Sequence, residues 1–288
     1  MRPAYVIEIV TPKKFVLNGL WFGPRKPKRV IVWVHGLGSS IFSKLHISDK
    51  LIDRDTAVLV FNNRGFERVA HIRRLSSDKK KERLIAGASH EIFKDCVDDI
   101  QGAINFAKKS GARSIYLAGH STGCQKSIYW ASKGGKGVRG IILLAPVSDY
   151  AGALANHGAA KIARAASFAR SLMRKGKPHD MIPSSLWSEE PDDAQRFLSL
   201  YTPESVEEIF SYVQLKKRPR TLESVKIPIL VIWADRDEFS DRPARQIATW
   251  FEQHIQKGRV EVIPNVGHGF KGGEVRVATT IRNWLNSV

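Results

Sequence analysis

Short runs of consecutive apolar residues alternate along this chain with stretches where apolar residues recur every three or four positions. Arg29–Val34, Ala57–Phe61, Ser114–Ala118, Gly140–Ala145, Ile229–Ala234 and Val260–Ile263 are nearly continuous apolar runs. Such runs predict strands, and Arg29–Val34 one buried on both faces. Tyr5–Val10 and Phe15–Phe22 predict an N-terminal hairpin. In Glu91–Lys109 the apolar positions Ile92, Phe93, Val97, Ile100, Ile104 and Ala107 share one helical face. Further helices are predicted over Phe42–Asp53, Thr122–Ser132, Pro243–His254 and Val275–Leu285. This alternation specifies an α/β chain, with a mostly parallel sheet and helices on both faces. Between Asp149 and Glu223 the strands stop. Alanine-rich helical sequence (Ala159–Met173) and proline-punctuated pieces take their place. The expected organisation is a core of residues 1–149 and 223–288 with a mainly helical cap inserted at 150–222.

Composition narrows the picture. A chain of 288 residues, 43% of them hydrophobic, suffices for one large domain with an insertion or two small ones. No apolar run approaches the roughly 20 residues that span a bilayer. Met1–Tyr5 runs directly into a strand-like segment without a signal region. The expectation is therefore neither export nor membrane spanning. Cys96 and Cys124 are the only cysteines, too few for a disulfide framework or a zinc cluster, and a reducing cytoplasm is the expected compartment. The net charge is +18. Basic residues cluster in Arg68–Arg83 (with Arg73, Arg74, Lys79, Lys80 and Lys81), in Lys161–Lys177 and in Lys216–Arg220. A solvated charged surface accounts for them, and weak association with polyanions is the sharper alternative. The runs lack the interleaved aromatic residues of a single-strand platform, and no helix-turn-helix or zinc-finger spacing occurs. No specific nucleic-acid partner is expected.

Gly119-His120-Ser121-Thr122-Gly123 carries the candidate chemistry. At average glycine and serine usage, roughly one chain in ten of this length would contain such a pentapeptide by chance. Its setting is what counts: it joins a predicted strand to a predicted helix, as a nucleophile elbow does. A serine nucleophile needs a base, an acid that orients the base, and N–H donors for the oxyanion. Catalytic groups gather where strands end. The base candidate is His268, in a glycine-flanked loop after the last strand. The acid candidate is Asp237, beyond Ile229–Ala234. Asp235, closer to the strand end and suited to bracing the turn, and Asp149, after the preceding strand, are the alternatives. The backbone N–H groups of Thr122 and Leu37 are the oxyanion candidates, Leu37 in the loop His35–Ser40. Gly36 and Gly38 let that loop turn its N–H inward. His35 is read as a turn-bracing residue and His120 as packing beside the elbow. His71 and His90 are assigned solvated or hydrogen-bonded roles in a charged connection. Cys124 is expected to pack under the elbow as a small buried hydrophobe.

These motifs together resemble the α/β-hydrolase superfamily over nearly the whole chain. The resemblance implies an eight-stranded, mostly parallel sheet, a serine nucleophile at the elbow, and no cofactor or metal. Gly119–Gln125, with Ala194–Leu200, is also similar to a serine-hydrolase group that includes fungal siderophore ester hydrolases. The heavy basic charge departs from that group, so ester hydrolysis is the implied chemistry and the siderophore substrate is not carried over. The expected partner is a small-molecule ester, anionic esters included. Thioesterase, amidase and carbon–carbon hydrolase activities use the same constellation. A non-catalytic ligand- or polyanion-binding protein of this fold is the alternative of a different class.

Overall fold

A computed structural model describes residues 3–75 and 81–288. Lys79 and Lys80 of the basic segment lie outside the described residues. The strands are β1 (Ala4–Val10), β2 (Phe15–Phe22), β3 (Arg29–Val34), β4 (Thr56–Phe61), β5 (Ala70–Leu75), β6 (Lys81–Ala86), β7 (Ser114–His120), β8 (Gly140–Leu144), β9 (Ile229–Ala234) and β10 (Gly258–Ile263). The helices are α1 (Leu45–Leu51), α2 (Cys96–Lys109), α3 (Thr122–Ser132), α4 (Asp149–Arg174), α5 (Ala194–Tyr201), α6 (Arg220–Glu223), α7 (Ala244–His254) and α8 (Glu274–Leu285).

One sheet runs in the order β10-β9-β8-β7-β3-β4-β2-β5-β6, with β1 paired to β2. The pairs from β10 through β7 and β3 to β4 are all parallel. Those involving β1, β2, β5 and β6 are antiparallel. The apolar run in β3 splits by the two-residue strand period. Val30, Val32 and Val34 enter one hydrophobic layer with Ile100, Ile104 and Ile128, whereas Ile31 and Trp33 enter the opposite layer with Val277 and Ile281. This is the expected α/β-hydrolase architecture, with a sheet covered on both faces.

The sheet has ten strands among the described residues, two more than the resemblance implies. The addition is the β5–β6 hairpin, which the sequence presents as a charged connection. Only Ile72 of β5 is buried, so Arg73 and Arg74 erase the apolar signal. Its register is nevertheless fixed by pairing with β2, Phe15 opposite Arg74 and Val16 opposite Arg73. Two predicted helices start later than expected. Lys44 adopts φ 57° and α1 begins after it, and residues 93–95 form a 3₁₀ turn before α2. Helix α4 is longer than the alanine-rich run and bends at Gly158, whose φ of 76° leaves the helical region.

Between β8 and β9 the regular elements are the helices α4, α5 and α6 and a short bridge between Met181 and Asp193, joined by turns and irregular backbone. This segment has its own apolar cluster, in which Ala165 and Ala169 of α4 meet Trp187 and Phe197, Leu200 and Tyr201 of α5. The strand order reverses at β3, which lies between β4 and β7. A crevice opens at such a switch point, outside the carboxyl ends of the strands. The β3 loop and the β7 elbow therefore emerge side by side.

Candidate active site

The elbow is built from close backbone approach. Ser121 sits at φ 55°, ψ −128°, between β7 and α3. That left-handed region is costly for a non-glycine residue and is held only by its surroundings. A Cβ on Gly119 would lie 2.4 Å from the Gly123 carbonyl oxygen, and one on Gly123 would lie 2.3 Å from that of Val34. Both neighbours are backbone, so neither can yield. The Ser121 N–H donates to the Leu144 carbonyl at 3.0 Å, tying the elbow to β8. Cys124 is fully buried and its Sγ faces the carbonyls of Gly119 and Leu144 at 3.2 and 3.3 Å. Burial raises its thiol pKa well above the ordinary value.

His268 and Asp237 meet across the loops after β10 and β9. The His268 Nδ1–H donates to Asp237 Oδ2 at 2.9 Å. The other Asp237 oxygen accepts the Phe239 N–H at 3.0 Å, so the carboxylate is fixed at both ends. The imidazole is packed between Phe239 and His120, each ring centroid 4.8 Å away. Its backbone is clamped too. The His268 N–H donates to Glu238 Oε2 at 2.8 Å, and its carbonyl accepts from His120 Nε2 at 3.0 Å. Burial drives the His120 pKa well below its ordinary value, so that ring is a neutral donor.

Of the three candidate carboxylates, Asp237 is the one bonded to His268. Asp235 Oδ2 accepts the Asn265 N–H at 3.5 Å, bracing the turn that leads to His268. Asp149 starts α4 and accepts from Gln125 Nε2 at 2.9 Å. Burial lifts its pKa well above the ordinary carboxylate range.

The β3 loop packs directly on the elbow. A Cβ on Gly36 would lie 3.0 Å from the Ser121 Cβ. Within the described residues, neither the Leu37 nor the Thr122 N–H has an acceptor. Thr122 is the first residue of α3, where the N–H has no intrahelical partner and the helix dipole favours negative charge. His35 braces the loop: its ring spans the Gly36 carbonyl at 2.8 Å and the Asn63 N–H at 3.2 Å. Burial lowers its pKa to about 4.

Ser121, His268 and Leu37 line one cavity of about 320 Å³. Its outer wall comes from the segment between β8 and β9, through His157, Trp187, Glu189 and Tyr201. Lys44 also lines the cavity, and burial lowers its pKa. None of these wall residues was singled out by the sequence, because each is defined by facing the serine rather than by a local pattern.

The sequence also gave no sign of the buried charges beneath the elbow helix. Lys126 Nζ lies 2.6 Å from Glu91, Arg196 lies 3.1 Å from Glu91, and Arg196 lies 2.6 Å from Glu207. Arg196 and Lys126 are both wholly buried. Four charged residues, each looking like a surface residue and spread from Glu91 to Glu207, reveal such a network only in three dimensions.

The crevice, the elbow and the two flanking loops define the protein as one of the α/β-hydrolase fold. The chain belongs to the family described as "Protein of unknown function (DUF1749)", which matches residues 87–281. Among solved structures it is similar to the siderophore hydrolase EstB from Aspergillus fumigatus, with a TM-score of 0.67 and 19% identity over 100% of this chain and 98% of that one. It is similar to a thermostable carboxyl esterase from Bacillus coagulans, with a TM-score of 0.66 and 15% identity over 100% and 99% of the two chains. The Pyrococcus furiosus esterase Pf2001 gives a TM-score of 0.63 and 16% identity over 99% and 91%. At such identities the likeness is one of fold. No curated protein matches the chain.

Proposed function

We propose that this protein is a serine hydrolase that cleaves a carboxylic ester of a small molecule through an acyl-enzyme on Ser121. The observation that carries the reading is the Asp237–His268 pair at one cavity with a serine held at φ 55°. The esterases among the structural neighbours are consistent with it.

In this mechanism the Ser121 Oγ attacks the ester carbonyl while His268 Nε2 takes its proton. Asp237 holds Nδ1–H, which leaves Nε2 as the basic edge, and it stabilises the imidazolium that forms. The N–H groups of Thr122 and Leu37 receive the oxyanion. His268 then gives its proton to the departing alkoxide, and the alcohol leaves. A water attacks the acyl-enzyme by the same route, its proton passing to His268 and then to Ser121 as the acid is released. The Ser121 hydroxyl makes no hydrogen bond among the described residues. In this reading the hydrogen bond from Ser121 to His268 forms when substrate fills the site, as catalytic hydrogen bonds that are long in an empty site commonly do.

Residues 150–222 act as a cap in this reading, and their cavity-facing side chains select the substrate. No helix of the described residues is long and apolar enough to cross a membrane, and two free, buried cysteines suit a cytoplasmic protein. The test is labelling with a serine-directed fluorophosphonate, followed by a series of p-nitrophenyl esters of graded length alongside thioesters. Wild type is expected to label and Ser121→Ala is not. A wild type that stays unlabelled where a known esterase reacts overturns the enzymatic reading in favour of a binding protein. Faster thioester turnover would move the substrate class without changing the site.

A further inference from the structure

A second cluster of chemically competent side chains lies away from the cavity. His90, in the turn before α2, and His179 and Asp193, on either side of the loop that includes Trp187, converge although they are far apart in sequence. Asp193 Oδ2 is 3.0 Å from His90 Nδ1 and 2.8 Å from His179 Nδ1. All three donor atoms lie within 4.8 Å of one another. We propose that these three side chains form a binding site for a divalent transition metal of the zinc class, and that the metal fastens the 180–192 loop to the core.

The charge balance supports the proposal. The Asp193 side chain is wholly buried. Buried carboxylates are paired with a cation or coordinate a metal. Among the described residues no lysine or arginine forms an ion pair with Asp193; its charge partners are the two imidazoles. The nearby Arg196 guanidinium is committed to Glu91 and Glu207. A divalent cation between the two rings and the carboxylate places a fixed positive charge beside this buried group.

The donor set has the right chemistry. Two imidazole nitrogens and one carboxylate oxygen suit zinc, cobalt or nickel, with water completing a tetrahedron. Bonds of about 2.0–2.1 Å place tetrahedral donors roughly 3.3 Å apart. The two carboxylate contacts must open by a few tenths of an ångström, and the rings must close on the metal. His179 has room to make that change because its side chain is 58% exposed. Asp193 is already held in position, since its Oδ1 accepts the Arg196 N–H at 2.8 Å and caps α5. The backbone is organised for the same purpose. Asp193 N–H donates to Ser89 O in the core at 3.0 Å, and Ala194 N–H donates to Asp180 O at 3.0 Å. The metal would thus sit at the neck of the loop whose Trp187, Glu189 and Glu190 form one wall of the cavity. This inference does not depend on the hydrolytic reading.

The test starts from full-length protein stripped with a chelator. Zn²⁺ is titrated calorimetrically, and Co²⁺ is added separately to record its visible absorption. The expected result is one equivalent of bound metal, tetrahedral cobalt bands, and a Tm raised by roughly 5 °C at a hundredfold excess of free Zn²⁺ over Kd. His179→Ala changes an exposed side chain and keeps the fold, and it is expected to abolish the stoichiometric binding and the Tm shift. His90→Gln is expected to do the same. If wild type shows no saturable site, the imidazoles only hydrogen-bond to Asp193 and the proposal is wrong. If the site and the Tm shift persist in His179→Ala, other surface histidines hold the metal and the proposal is equally wrong.

Discussion

At the scale of single residues, the two carboxylates after β9 separate roles that the sequence leaves adjacent. Asp237 touches the imidazole, and Asp235 touches only the Asn265 turn. Asp237→Asn is therefore expected to lower kcat on a p-nitrophenyl ester by roughly a thousandfold or more, because the amide no longer holds the imidazole in the correct tautomer. Asp235→Asn is expected to stay within a few-fold of wild type, and the reverse pattern would reassign the acid. A second residue-scale expectation concerns Glu208. Both its carboxylate oxygens accept from the Ser148 hydroxyl, at 2.9 and 2.8 Å. Burial pushes its pKa up to about 7 from an ordinary 4.5, against the pull of that hydrogen bond. A raised folded-state pKa means the native state binds the proton more tightly than the unfolded chain. Its stabilising contribution is complete below about pH 4.5 and is lost as pH rises through about 7, a change on the order of 3 kcal/mol. Glu208→Gln cannot titrate. Denaturant melts at pH 4 and pH 8 should therefore show the variant gaining on wild type at the higher pH, and a pH-independent difference would refute the assignment.

At the scale of elements, the elbow and the charge network hold the site together by different means. Gly119 and Gly123 are needed because strand and helix meet backbone to backbone. Gly123→Ala is expected to destabilise the fold by roughly 3–5 kcal/mol, read as a large fall in Tm or loss of soluble protein. Gly111→Ala, at φ 81° with nothing within 4 Å of the added carbon, should cost about 1 kcal/mol by conformation alone. Similar losses in the two variants would contradict the close approach. The network runs from α3 at Lys126 through Glu91 to Arg196 on α5 and on to Glu207. Arg196→Met leaves two buried carboxylates without their guanidinium and is expected to lower stability by about 3–5 kcal/mol, measured by denaturant unfolding. The sequence-based elements agree with the structure where the apolar period is strong, as in β3, β7, β9 and α3. They miss β5 and β6, where backbone pairing to a neighbouring strand outweighs a polar, arginine-rich sequence.

At the scale of the whole molecule, the net charge of +18 is spread over a surface where part of it is already used internally. Arg73 pairs with Glu8 at 2.6 Å, Arg68 pairs with Glu190, and the Lys161 ammonium lies 5.4 Å from the Trp187 ring centroid. The remainder sets a long-range field that salt screens over about 10 Å at 0.1 M. Retention on heparin is expected to fall steeply as salt rises, and salt-independent retention would rule out an electrostatic origin. The chain by itself determined the alternation of strands and helices and the identity of Ser121, Asp237, His268, Leu37 and Thr122 as candidates. It could do so because those signals are local: an apolar period, a glycine-flanked serine, a histidine loop after the last strand. Only the tertiary structure decided which of three carboxylates meets the imidazole, which side chains wall the cavity, that Arg196 is buried with its acids, and that His90, His179 and Asp193 converge. Those relations join residues from 11 to more than a hundred positions apart. They exist through sheet order and packing, and no local pattern of hydrophobic and polar residues encodes a distance between them.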